Sequence, residues 1–211
     1  MKEVKVLHIL NELRLSGMEM MLLNSALEWS KHMVTVDIIA TGNERGIGAD
    51  KLIDSGYEVF HIPFYQNKLK AFLVFRAFLL RKRYDIIHIN TEGNFLLHCL
   101  ISGITGHQRI VRTFHSIFQP RPLGKIRRLV DRYFARFLNI KYISVGDSVA
   151  KNELVNFHTK SVIIYNWYNS ERFNLSLKSN REKYISKYNI PADAFVLTTI
   201  GNCSPVKRHD L

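Results

Sequence analysis

The chain predicts an α/β protein built on a Rossmann-like, doubly wound parallel sheet. Short runs rich in Val and Ile alternate with longer segments of helical period from residue 4 to about residue 165. The strand runs are almost continuously apolar, as expected of parallel strands packed under helices. Right-handed crossovers then favour a doubly wound sheet. A length of 211 residues, 46% hydrophobic and 23% charged, suits one large globular domain and the start of another.

Each element follows in order. Val4–Leu10 is a β-rich run, and Ser16-Gly17 opens a helical segment, Met18–Lys31. Val34–Ala40 is a second strand, followed by a glycine-bearing loop, 41–48, and a short helix, Ala49–Ser55. Tyr57–Ile62 is the third strand and Leu69–Arg83 a long helix, whose terminal Arg81, Lys82 and Arg83 suit a helix C-terminus. Asp85–Asn90 is the fourth strand, Asn94–Ile104 a helix, and Arg109–Phe114 the fifth strand. A basic helix precedes the sixth strand, Tyr142–Gly146. A helix from Asp147 to Phe157 and a seventh strand, Ser161–Tyr165, complete the alternation. After Asn166 the sequence turns polar and aperiodic. Arg181–Asn189 reads as a helix stopped before Pro191, and Ala194–Ile200 as a new buried strand. The expected organisation is therefore an N-terminal domain over 1–170, a connection over 171–190, and over 191–211 the truncated start of a second Rossmann-like domain.

Composition narrows the function classes. Two cysteines, Cys99 and Cys203, exclude a disulfide scaffold, and both are expected to act as small apolar residues. The apolar run at the N-terminus, Val6–Leu10, is too short for a signal peptide, and no stretch of about 20 apolar residues exists. A cytoplasmic setting is expected. The net charge of +12 is uneven: it is −2 over residues 1–50 and +7 over residues 101–150. That excess centres on a helix in which Ile126, Leu129, Val130, Tyr133, Phe134 and Phe137 recur at helical spacing. Lys125, Arg128, Arg132 and Arg136 fall on the other side. The apolar stripe is expected to pack on the core. The basic side is then either a solvated face or a surface for a polyanion, whether anionic membrane or nucleic acid.

In open α/β sheets ligands bind beyond the carboxyl ends of the strands. The candidates are Asn11 to Gly17, Asn90 to Asn94, His115 and Ser116, Gly146 to Ser148, and Asn166. A glycine at a helix entry, as in Ser16-Gly17, lets backbone N–H groups approach an anion or sugar hydroxyl. His115 can hydrogen-bond a ligand or move a proton near neutral pH. His88, inside a strand, reads as a hydrogen-bonded core histidine. Lys207, after a strand and loop, is placed to meet a pyrophosphate. The histidine spacings fit no zinc pattern, and GxGxxG and GxxxxGK[ST] are absent, so no metal site and no dinucleotide cofactor are expected.

Taken in order, VLHILNELRLSGMEMMLLNSA, DIIHIN, RTFHS, YISVGDSVA, VIIYNWYNSERF and IGNCSPVKRHDL resemble the N-terminal part of a glycosyltransferase family 4 enzyme of the GT-B type. The resemblance implies two Rossmann-like domains with the active site between them, the first mostly holding the acceptor and the second the nucleotide-sugar. It implies retaining transfer without a metal, with basic groups stabilising the leaving diphosphate. It assigns Gly17 to the glycine loop near the donor phosphates, with Ser16 in place of a first glycine. It assigns His115 to contact with the transferred sugar and Lys207 to the donor diphosphate. Asn202 stands where the family usually has arginine, and Glu19, Asn90 and Asn166 become acceptor-side candidates. The family's Glu-x7-Glu motif does not occur before Leu211, so the chain as given is expected to have little or no transferase activity. The resemblance implies a saccharide or lipid-linked acceptor in cell-surface polysaccharide or glycolipid synthesis. It also makes Lys125, Arg128, Arg132 and Arg136 candidates for peripheral docking on an anionic inner membrane face. A non-catalytic acceptor-binding module is the alternative. A nucleic-acid binder ranks below both, because recognition-module signatures are missing.

Overall fold

The structure is a computed structural model that describes residues 3–117, 122–170 and 181–198. The chain divides into two compact units, Met1–Tyr168 and Asn169–Leu211.

The first unit is a seven-stranded parallel sheet in the order β3-β2-β1-β4-β5-β6-β7. Its strands are β1 (Val4–Leu10), β2 (Val34–Ala40), β3 (Glu58–His61), β4 (Ile86–Ile89), β5 (Ile110–Phe114), β6 (Lys141–Ser144) and β7 (Val162–Ile163). Its helices are α1 (Gly17–Lys31), α2 (Ala49–Asp54), α3 (Lys68–Lys82), α4 (Phe95–Ile104), α5 (Pro122–Ala135) and α6 (Asp147–Phe157). The chain winds outward from β1 through β2 to β3, then returns to the other side of β1 and winds through β4 to β7. Right-handed crossovers put α1 and α2 on one face and α3 to α6 on the other.

The period of two along each strand divides the core. Leu7 and Ile9 of β1, Ile87 and Ile89 of β4, and Ile110 of β5 pack with Phe75 and Leu79 of α3 and Phe95, Cys99 and Ile101 of α4. Val6 and Leu10 of β1 and Val36, Ile38 and Ala40 of β2 pack on the opposite face with Leu22 of α1 and Leu52 of α2. Because α1 and α2 lie over β1 and β2, residues of β4 to β6 pointing to that same face border a cavity instead of a helix.

Two expectations fail. The apolar stripe of α5 does not pack on the core: Ile126, Val130, Tyr133, Phe134 and Phe137 are exposed, while Arg128 and Arg132 are buried. Helical period separates two faces without saying which one points inward. Glu92 and Glu153, distant in sequence, meet the two arginines inside and reverse the choice. In the second unit, helix α7 (Arg181–Lys187) forms as expected; of the strand expected over Ala194–Ile200, residues 194–198 are not a strand, and residues 199–200 lie outside the described residues. There Arg181 donates from Nη2 to the Ala194 carbonyl at 3.1 Å. Among the described residues of this unit no partner strand is present, and a lone strand gains no ladder bonds.

Candidate functional site

The strand order reverses at β1 and β4, so the crevice lies beyond their carboxyl ends. Parallel register puts His8 of β1 opposite His88 of β4, and His88 opposite Val111 of β5. The period of two then brings His8, His88, Asn90, Thr113 and His115 onto one face. All five line a cavity of about 370 Å³, together with Met18 of the first turn of α1, Asn166 and Trp167.

Polar side chains in this apolar setting are linked. Asn90 donates from Nδ2 to the His88 carbonyl at 3.3 Å and to His8 Nδ1 at 3.1 Å. Its Oδ1 accepts from His115 Nε2 at 3.0 Å. A carbonyl can only accept, so the amide orientation is set, and with it both tautomers. His115 carries its proton on Nε2 and keeps Nδ1 as an acceptor; His8 carries its proton on Nε2. His88 Nε2 lies 2.7 Å from Thr113 Oγ1 and its ring lies 4.5 Å from that of His8. Burial, and then the Arg112 guanidinium, pull His115 down to about 4. Burial, and then His115, pull His8 to about 4. Burial likewise holds His88 well below its ordinary value. Near neutral pH the cluster is uncharged and works through hydrogen bonds.

The loop between β1 and α1 is anchored before it reaches the cavity. Leu13 N–H donates to the Arg45 carbonyl at 3.1 Å, and Gly48 N–H to the Leu13 carbonyl at 2.8 Å. Gly46 sits at φ +91° against Leu13, where an added Cβ would overlap the Leu13 carbonyl. Ser16 is the N-cap of α1. Its backbone N–H donates to Glu19 Oε2 at 3.0 Å, and its hydroxyl donates to the same oxygen. Glu19 is therefore buried as the partner of Ser16, with one oxygen already committed. Among the described residues, nothing lies within 4 Å of where a Cβ on Gly17 would sit.

Among the sequence candidates, the structure brings Asn90, His115 and Asn166 to the cavity, with Ser16 and Gly17 just before Met18 on its rim. Lys207 and Asn202 lie outside the described residues. Sequence reasoning missed His8 and Trp167. The signal for His8 is a histidine interrupting an apolar strand, in register with another in β4. Trp167 Nε1 donates to Ser25 Oγ at 2.9 Å, tying the chain after β7 to α1. The expected role of Arg128 and Arg132 on an external basic surface is corrected. Glu92 Oε1 meets Arg128 Nε at 3.3 Å and Arg132 Nη1 at 3.2 Å, and its Oε2 meets Arg112 Nη2 at 2.7 Å. Arg132 also binds Glu153 Oε2 at 2.8 Å. Burial works to raise the Glu92 carboxyl, but Arg112, Arg132 and Arg128 together hold it below its ordinary value. Lys125 and Arg136 remain exposed.

Residues 15–172 match the model of a family described as Glycosyltransferase Family 4. Search of curated protein sequences finds no match. Among solved structures, a glycosyltransferase from Rickettsia africae is similar at 18% identity with a TM-score of 0.73, covering 92% of this chain and 51% of that one. Anabaena HepE, solved with UDP, aligns at 18% identity and a TM-score of 0.67, covering 88% of this chain and 50% of that one. MurG of Acinetobacter baumannii aligns at 9% identity and a TM-score of 0.51, covering 77% of this chain and 45% of that one. The chain thus spans about half the length of these proteins, and at such identities the likeness is one of fold.

Proposed function

We propose that this chain, which belongs to glycosyltransferase family 4, forms the acceptor-side half of a site that transfers a sugar from a nucleotide-sugar to a saccharide or lipid-linked acceptor. The observation that carries the reading is the hydrogen-bond chain His8–Asn90–His115 at the point where the strand order reverses. It holds a neutral His115 with Nδ1 free to accept from a sugar hydroxyl. Asn90 is the positioning residue and His115 the one that meets the sugar. Family membership and the UDP and glucose bound in Anabaena HepE support a nucleotide-sugar donor.

In the transfer, the bond from the anomeric carbon to the diphosphate breaks and a bond to the acceptor oxygen forms. The acceptor proton leaves with the diphosphate. Retention of anomeric configuration follows from the family resemblance. The amide-rich N-terminus of α1, next to Met18 on the cavity wall, suits an anionic or hydroxyl-bearing group. Lys207 is assigned to the diphosphate by the same resemblance.

The test measures nucleoside diphosphate release from a panel of nucleotide-sugars, with and without saccharide and lipid-linked acceptors. Acceptor-dependent release that His115→Ala lowers by more than about 100-fold supports transfer. Perturbation of His115 resonances by acceptor, without release, supports an acceptor-binding unit. Absence of both across the panel refutes the reading.

A further inference from the structure

The chain of hydrogen bonds through Asn90 is held from the far side of the sheet. Arg112 stands on β5 between Val111 and Thr113, which both line the cavity, and the period of two turns its side chain to the opposite face. It is buried there, its guanidinium 5.2 Å from the Phe95 ring and 5.4 Å from that of Phe114. Its Nη1 donates to the Thr91 carbonyl, and its Nη2 to Glu92 Oε2 at 2.7 Å. Thr91 and Glu92 are the two residues that follow Asn90. The Asn90 N–H donates to the Ile9 carbonyl at 2.8 Å. The backbone is thus pinned on both sides of Asn90, by β1 before it and by Arg112 after it. Thr91 Oγ1 accepts from the Gly93 N–H at 3.2 Å, closing the turn that Arg112 grips. Glu92 is fixed in its turn from α5, where its Oε1 meets Arg128 and Arg132.

Stability alone does not call for an arginine at this position. The same layer of the sheet is built from Leu7, Ile9, Ile87, Ile89 and Ile110. An apolar side chain there avoids the desolvation cost of a buried charge, and exchanging a buried ion pair for apolar groups is often neutral or stabilising. What an apolar side chain lacks is a planar fork that can hold two successive residues at once. Lysine, a point charge on a flexible stem, lacks it too. Such a fork controls where the Asn90 side chain points. The amide lies 3.1 Å from a ring nitrogen of His8 and 3.0 Å from one of His115, on two different strands, so a small displacement breaks one bond or the other.

We propose that Arg112 is a positioning residue for the candidate site: by gripping Thr91 and Glu92 from behind the sheet, it aims the Asn90 amide at His8 and His115 and so fixes the His115 tautomer. Its bearing on transfer rests on His115 meeting the sugar; the positioning itself does not.

The test reads the tautomer by long-range proton–nitrogen NMR correlations of the 211-residue chain, isotope-labelled in histidine, at neutral pH without substrate. In the parent, His115 shows a single tautomer with its proton on Nε2. Arg112→Lys keeps the charge and loses the fork, so the tautomer ratio of His115 shifts by about tenfold toward the Nδ1-protonated form, the effect of one lost hydrogen bond. Glu92→Gln keeps the shape of its side chain, weakens the grip, and gives a smaller shift in the same direction. Leu52→Ala, in the core beneath α2, lowers stability and leaves the His115 signals as in the parent. Circular dichroism checks that each variant is folded. The parent pattern in a folded Arg112→Lys overturns the proposal, and so does an equal shift in Leu52→Ala. Where Arg112→Lys does not fold, the parent pattern in Glu92→Gln overturns it. Loss of the fold in both gives the pair a purely structural role and overturns it as well. No donor or acceptor is present, so a failure of sugar transfer leaves this result standing, and a failure here leaves the transfer reading standing.

Discussion

Asn90 Oδ1 lies 3.0 Å from His115 Nε2, and the Nδ2 of the same amide is committed to His8 and to the His88 carbonyl. One asparagine therefore determines which nitrogen of His115 holds the proton. Asn90→Asp replaces that amide with a carboxylate. The negative charge should raise the His115 pKa from about 4 by about one to three pH units. Titration of the His115 ring signals by NMR reads this directly. An unchanged midpoint in a folded variant would show that Asn90 does not control the ring.

Buried neutral histidines make the fold acid-sensitive. His8 has a folded-state pKa of about 4, and burial pulls His98 to about 3. Both lie below the unfolded value of 6.5, so the unfolded chain takes up protons first as pH falls. Their stabilising contribution is complete above pH 6.5 and declines as pH drops toward 4. For His8 the loss is about 3 kcal/mol over that window. Urea unfolding at pH 7, 6 and 5 should show a falling midpoint, and a flat series contradicts the assignment.

His98 offers a stabilising substitution. It is fully buried against Phe64 and Phe75, with ring centroids 4.5 Å and 5.9 Å away, and neither ring nitrogen has a hydrogen-bond partner among the described residues. His98→Leu removes two unsatisfied polar atoms at similar volume. The expected gain is about 1–3 kcal/mol at pH 7, with a shallower acid decline. A less stable variant would reveal a partner such as a buried water.

Arg132 is the keystone beneath α5. It joins Glu153 and Glu92, and its guanidinium lies 4.5 Å from the Phe157 ring centroid. Arg132→Ala leaves Glu153 buried without its ion-pair partner and should cost about 3–5 kcal/mol. Arg136→Ala, at an exposed neighbour, should cost less than about 1 kcal/mol. Equal effects in thermal or urea unfolding would deny the network its role.

Gly46 and Gly56 share positive φ, +91° and +96°, but not their surroundings. A Cβ at Gly46 would overlap the Leu13 carbonyl, whereas one at Gly56 meets nothing within 4 Å among the described residues. Gly56→Ala should therefore cost only backbone strain, about 1 kcal/mol. Gly46→Ala adds a clash in the loop leading to Ser16 and should cost about twice that or more. The two unfolding free energies decide it.

The alternation of Val/Ile runs with helical periods was enough to place all seven strands and six helices of the first unit, because strand and helix periods are local properties. Val4–Leu10, Val34–Ala40 and Asp147–Phe157 have the bounds read from sequence. His115, Asn90 and Asn166 were legible as candidates because a doubly wound sheet places its crevice at strand ends. His88 was legible as a hydrogen-bonded strand histidine. What tertiary structure decided was pairing. Parallel register joined His8 to His88 and brought Asn90 between His8 and His115, across more than 80 residues of chain. Partnership also decided the direction of α5. Its two faces are plain in the sequence, but which one turns inward depends on Glu92 and Glu153, which come from other elements. A helical period records that a helix is amphipathic; only neutralisation of its charges by distant partners lets the charged side be the buried one.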